Sequence, residues 1–124
     1  MEILMIGYST IGVKDIDVAK KFYCDLFDAT VHVDIGRLAM IGKTMDAPMI
    51  AVCEPFNGEA PSCGNGAMIA FSASSKDEVN ALHAKALSLG ATDEGAPGQR
   101  IDDVFYGAYV RDLDGNKLAF YIFG

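Results

Sequence analysis

Three tyrosines, Tyr8, Tyr109 and Tyr121, stand where side chains could do chemistry. Each lies in an alternating, largely apolar run: Tyr8 shares a strand face with Thr10, and Tyr121 with Ala119. Tyr109 falls opposite Ala119 if Arg111 faces Lys117 around a five-residue turn. Met68, Ala70 and Ser72 extend the same wall. A phenol ring offers a flat apolar surface with one polar tip, a combination that orients a small planar molecule. Tyrosine hydroxyls inside a closed core would need partners, so these residues are read as the lining of a cleft rather than as core. His32 alternates with Val31 and Val33 and so leaves the helix-facing side with Asp34, either as a base at a cleft edge or on a solvated face. Glu54 ends the run MIAVCE, either as a lone shielded carboxylate suited to acid or base work or as a surface residue. Arg100, Asp102 and Asp103 belong to the loop before the last hairpin, and His83, on a helix patterned for the surface, is given no role. The chain carries no Ser-His-Asp order, no glycine-rich phosphate loop and no zinc spacing. Cys24, Cys53 and Cys63 show no CxxC pattern and read as free thiols in a reducing, cytoplasmic setting.

The element that must position these residues is the final stretch, FYGAYVRDLDGNKLAFYIFG (Phe105 to Gly124). Asp114-Gly115 at its centre is a hairpin signal, because glycine tolerates the positive φ of such turns. Asp112 and Asn116 bracket it with side chains that can bond nearby backbone. Beyond the turn, Leu118, Phe120 and Ile122 take one face, and Lys117, Ala119, Tyr121 and Phe123 the other. Both faces are largely apolar, so both should be covered.

Upstream, Tyr8 to Val13 reads as a strand, and Asp15 caps a helix from about Ile16 to Phe27. Its buried stripe is Ile16, Ala19, Phe22, Tyr23 and Leu26. Strands come next at Val31 to Ile35, Arg37 to Gly42 and Met49 to Glu54. After a polar, Gly- and Pro-bearing linker the pattern restarts: a strand at Ala67 to Ala73 and a capping box at Ser75–Glu78. A helix striped by Val79, Leu82, Ala86 and Leu87 succeeds it. Gly90-Ala91-Thr92 then echoes Asp28-Ala29-Thr30. A loop with Gly95, Pro97 and Gly98 and a poorly marked strand within Thr92 to Arg100 lead into the hairpin. The chain is thus an internal repeat, with one module at about 1–56, a linker at about 57–66 and a second module at about 67–124. The expected fold is α+β: two βαβββ modules forming mixed sheets around a cleft.

At 124 residues this is one domain. A hydrophobic content of 51% is high for a small soluble chain and predicts a homodimer that hides part of its surface. The net charge of −7 argues against nucleic acid as a partner. No stretch reaches the length of a membrane span, and MEILMIGYSTIG lacks the basic start of a signal peptide.

STIGVKDIDVAKKFYCDLF resembles the opening of the vicinal-oxygen-chelate superfamily, which groups glyoxalases, bleomycin-resistance proteins and extradiol dioxygenases. GNGAMIAFSASSKDEVNALHAKALSLGATDEGAPG is similar to the start of its second module, and YGAYVRDLDGNKLAF to its closing hairpin. The resemblance implies His or Glu metal ligands at matched positions of the two modules, which here fall on Tyr8, Met68 and Ala119. The fourth falls on Cys53 or Glu54. Alanine has no donor and a thioether is too soft for the ions concerned, so no metal or other cofactor is expected. The resemblance then implies a metal-free protein that binds a small, partly aromatic or apolar molecule through Tyr8, Thr10, Met68, Tyr109, Ala119 and Tyr121. The alternative is a lyase or dioxygenase of the glyoxalase type, with an atypical metal site or with acid/base chemistry through Tyr8, Glu54 or His32.

Overall fold

A computed structural model describes residues 5–124; residues 1–4, which carry part of the N-terminal reading, lie outside the described residues. The chain divides into two units between Ser62 and Cys63.

In the first unit, β1 (Tyr8–Gly12) leads to α1 (Ile16–Phe27). Asp15, extended at φ −130, accepts a hydrogen bond from the Val18 N–H at 3.1 Å and so satisfies one of the helix's free amides. The helix buries the five residues its spacing predicts, with Phe22 and Tyr23 packed edge to face at 4.9 Å. It ends on Asp28 in the left-handed conformation, and the Ala29 N–H reaches back to the Cys24 carbonyl at 3.0 Å. Three strands complete the unit, β2 (Thr30–Asp34), β3 (Leu38–Gly42) and β4 (Met49–Cys53). The sheet order is β1-β4-β3-β2, with β1 and β4 parallel and the other pairs antiparallel. Ala39, Ile41, Ile50 and Val52 turn one face toward α1 and are buried.

The second unit repeats this plan. β5 (Ile69–Ser72), α2 (Lys76–Ser88), β6 (Thr92–Ile101), β7 (Phe105–Arg111) and β8 (Lys117–Phe123) give the order β5-β8-β7-β6, with β5 and β8 parallel. Ser75 accepts from the Glu78 N–H at 3.0 Å, while the Glu78 carboxylate accepts from the Ser74 N–H. The helix leaves through Gly90 (φ 106), and the Ala91 N–H bonds the Ala86 carbonyl at 3.0 Å, the arrangement that Asp28 and Ala29 make in the first unit. Ala108, Val110, Leu118 and Phe120 are fully buried on the helix side. The fold is therefore α+β, with two four-stranded mixed sheets of identical strand order. None of the helices is long and apolar enough to cross a membrane, among the described residues.

The hairpin turn forms as its sequence predicts. The Asp112 carboxylate accepts from the Asp114 and Asn116 amides at 2.9 and 2.8 Å and from the Asn116 side chain at 3.0 Å. Arg111 stands opposite Lys117, and Gly115 takes φ 91 between them. Two expectations differ. The stripe of α2 is Val79, His83 and Ala86; Leu87 is exposed, and His83 is buried because the Asp93 carboxylate accepts from its ring at 2.9 Å. Gly95, Pro97 and Gly98 lie within β6 rather than in a loop, and the register against β7 shifts at each irregularity they introduce.

Candidate functional site

The β7–β8 ladder decides which side chains share a face in the second unit. Phe105 is opposite Phe123, Gly107 opposite Tyr121, Tyr109 opposite Ala119, and Arg111 opposite Lys117. Directly opposed residues point the same way, so this face, turned away from α2, runs from an aromatic end to a cationic end. Strand β5 adds Ala70 beside Ala119 and Ser72 beside Tyr121.

At the aromatic end, Phe105 stacks on Tyr121 at 5.3 Å between centroids, and Phe123 meets Tyr121 edge-on at 5.1 Å. Gly107 permits this, since a Cβ there would come within 2.7 Å of the Phe105 ring. Midway, Tyr109 has two cations over its ring, Lys117 Nζ at 5.1 Å and the Arg100 guanidinium at 5.3 Å from the centroid. Gly95 makes room for that arrangement, because a Cβ would lie 2.9 Å from the tyrosine ring. Among the described residues the Tyr109 and Tyr121 hydroxyls have no hydrogen-bond partner, whereas Tyr106 on the helix side donates to Asn80 at 2.6 Å. Ala119, between the two rings, is fully buried and offers no accessible surface.

In the first unit the matching face carries Tyr8, which is half exposed, and then Thr10 and Gly12 on β1. Parallel pairing sets Thr10 beside Ala51 and Gly12 beside Cys53. Met68 is exposed and immediately precedes β5.

The acid–base candidates do not assemble. Glu54 is exposed rather than shielded, and its backbone N–H bonds the Arg37 carbonyl as the strand ends. Its side chain lines a shallow depression of about 290 Å³ with Val13, Lys14, Pro55, Glu59 and Pro61. His32 sits at a β-bulge between Val31 and Val33, where its Nε2 lies 3.0 Å from the Gly42 carbonyl and 3.2 Å from the Thr30 hydroxyl. The bulge reverses the facing of the residues beyond it. Asp34 pairs beside Ala39 and bonds Lys20 of α1 at 2.9 Å, so it faces the helix instead of joining His32. The Gly36 amide and Lys20 hold its carboxyl below the ordinary carboxylate range. Asp93 is likewise lowered, first by His83 and then by the Gly95 amide. Burial, and then the neighbouring Asp25 carboxylate, push the Cys24 thiol up and favour its neutral form.

Sheet register relates the two units residue by residue. Thr10 and Ala70 lie sixty residues apart, like the first residues of the two helices, and their parallel partners are Ala51 and Ala119. By this register the position in the first unit that matches Ala119 is Ala51. The residues at these positions do not suit a divalent ion: Ala51 and Ala119 have no donor atom, and Met68 offers only a thioether. Among the described residues no group of three or more His, Cys, Asp or Glu side chains converges to hold a metal.

The family model described as Glyoxalase/Bleomycin resistance protein/Dioxygenase superfamily matches residues 5–120. The chain belongs to this superfamily. A glyoxalase/bleomycin resistance protein from Albidiferax ferrireducens T118 is 33% identical, with a TM-score of 0.81 over 93% of this chain and 95% of that one. A family enzyme from Burkholderia phytofirmans PsJN (20% identity, TM-score 0.79, 94% and 96% covered) shares the fold. So does a lactoylglutathione lyase from Agrobacterium tumefaciens (20%, 0.73, 98% and 95%). No curated protein matches the sequence. What the sequence left unassigned on this superfamily face is the pairing of Arg100 and Lys117 with Tyr109, and the stacking of Phe105 with Tyr121. Alternation along the hairpin carries the signal for Phe105 and Lys117, but Arg100 depends on the irregular register of β6.

Proposed function

We propose that this superfamily member is a metal-free binding protein that holds a small, flat, partly aromatic molecule against the open face of β7 and β8. The supporting observation is the row of four rings, Phe105, Tyr109, Tyr121 and Phe123, around the small residues Gly107 and Ala119, with two phenol hydroxyls left to bond a ligand. Flat surface and a few polar tips are what such sites use for affinity and orientation respectively. Met68, exposed just before β5, belongs to the proposed binding set as well.

The test is a thermal-shift and saturation-transfer NMR screen of planar aromatic compounds against their saturated ring analogues. Stabilisation by the aromatic members alone, lost in both Tyr109→Ala and Tyr121→Ala, is the expected result. Equal response to saturated analogues would sink the reading.

The protein is further proposed to act as a cytoplasmic homodimer. Exposed Phe56, Ile35, Met45 and Phe123 and three free cysteines support this. Light scattering that returns the monomer mass at micromolar concentration would rule the dimer out.

A further inference from the structure

We infer that the molecule bound on this face carries a carboxylate, held by Lys117 and Arg100 beside the Tyr109 ring. The inference rests on the binding reading above and narrows it to aromatic acids.

The chain has seventeen acidic residues against ten basic ones, yet the β5, β7 and β8 positions that share this face include no Asp or Glu, and the acid that reaches it from β6 is Glu94. They do include Arg111 and Lys117 directly opposite each other, an arrangement that destabilises a sheet when nothing neutralises it. Glu94 from β6 offsets only one member of the pair, bonding Arg111 Nη2 at 3.1 Å. Lys117 forms no ion pair among the described residues, and neither does Arg100, whose guanidinium is tethered to the Ala96 carbonyl. Both cations stand just over 5 Å from the centroid of one ring. They therefore flank one ring, so an anionic group beside that ring lies in the field of both. A carboxylate meeting Arg and Lys gains charge-assisted hydrogen bonds, while its own ring extends toward Tyr121. Lys117, opposed to Arg111 and without a carboxylate of its own, is thus the cation whose interaction the ligand completes, with Arg100 on the same ring.

The experiment titrates the full chain with cinnamate, benzoate, cinnamamide, benzamide and inorganic phosphate, read by NMR chemical shifts and by melting temperature. The acids should bind at least about tenfold more tightly than their amides. In Lys117→Met and Arg100→Gln the acids should weaken to the level of the amides, whose own binding stays unchanged. The ligand-free melting temperature of Lys117→Met should hold or rise, because a like-charge opposition has been removed.

Amides that bind as well as acids, with both lost in Tyr109→Ala, overturn the carboxylate assignment and leave the aromatic site standing. If neither acids nor amides bind, the binding reading falls and the inference falls with it. Phosphate that protects as well as the acids and is indifferent to Tyr109→Ala overturns the assignment in favour of a plain anion site. A fall in the ligand-free melt of Lys117→Met with acid binding intact assigns the lysine to packing, and also overturns it.

Discussion

The ring of Phe105 lies parallel to that of Tyr121, 4° apart in plane and 5.3 Å between centroids, and the residue that makes this possible is Gly107. Gly107 is the cross-strand partner of Tyr121, so its missing side chain is the space into which Phe105 leans. The face thus carries a flat aromatic pair at one end.

Replacing Gly107 with Ala should dislodge that pair. The new methyl would meet the Phe105 ring at 2.7 Å, and the loss of stacking is expected to cost about 0.5–1.5 kcal/mol. Denaturant melts of Gly107→Ala, Phe105→Leu and the double variant check it. The double variant should be no worse than Phe105→Leu alone; full additivity would mean that the stack is not the cause.

Ala119→Phe tests how the centre of this face is packed. Ala119 has no exposed surface, so a ring there overpacks its surroundings and should destabilise by about 1–3 kcal/mol. An unchanged melting temperature would show a void beside Ala119 instead.

Acid stability should report on Asp93 and Asp34. Their folded carboxyls titrate below the ordinary value of 3.8, so the unfolded chain takes up protons first as pH falls. Their stabilising contribution is complete above the ordinary value and is lost as pH drops through the lower, folded one. Melting temperature tracked from pH 6 downward should decline less steeply, over the acid limb below that ordinary value, in Asp93→Asn than in the parent. Parallel curves would remove Asp93 from the account.

Metal ions should leave the protein unmoved. With alanine at positions 51 and 119, added Ni²⁺, Zn²⁺, Mn²⁺ or Fe²⁺ is expected to give no rise in melting temperature, since only an ion that binds the folded state raises it. Elemental analysis of protein purified without chelators should find well under one equivalent. A ratio near one would overturn the metal-free reading.

Much of the fold was legible because its signals are local. The buried stripe of α1, the Asp112–Asn116 turn and the pairing of Tyr109 with Ala119 all arise from helical spacing, strand alternation or turn chemistry read over a few residues. What escaped depends on single-residue slips and on partners distant in sequence. The bulge at His32 inverts Asp34 without altering the apolar pattern. The burial of His83 requires Asp93, supplied by a strand that its glycines and Pro97 disguise as a loop. The meeting of Arg100 with Tyr109 requires the register shifts of that same strand.

The parallel pairing of β5 with β8 has a consequence for the order in which the second unit assembles. A hairpin such as β7–β8 closes over five residues, but β5 cannot join β8 until the helix and two further strands have been threaded between them. Such non-local closure comes late in folding, because a long loop must be ordered before its contacts repay it. At only four residues and bonded on one side, β5 is also the shortest strand of its sheet. Ala70 and Ser72 therefore sit on a short edge strand whose pairing closes late, and its amides are expected to exchange faster than those of β7 and β8.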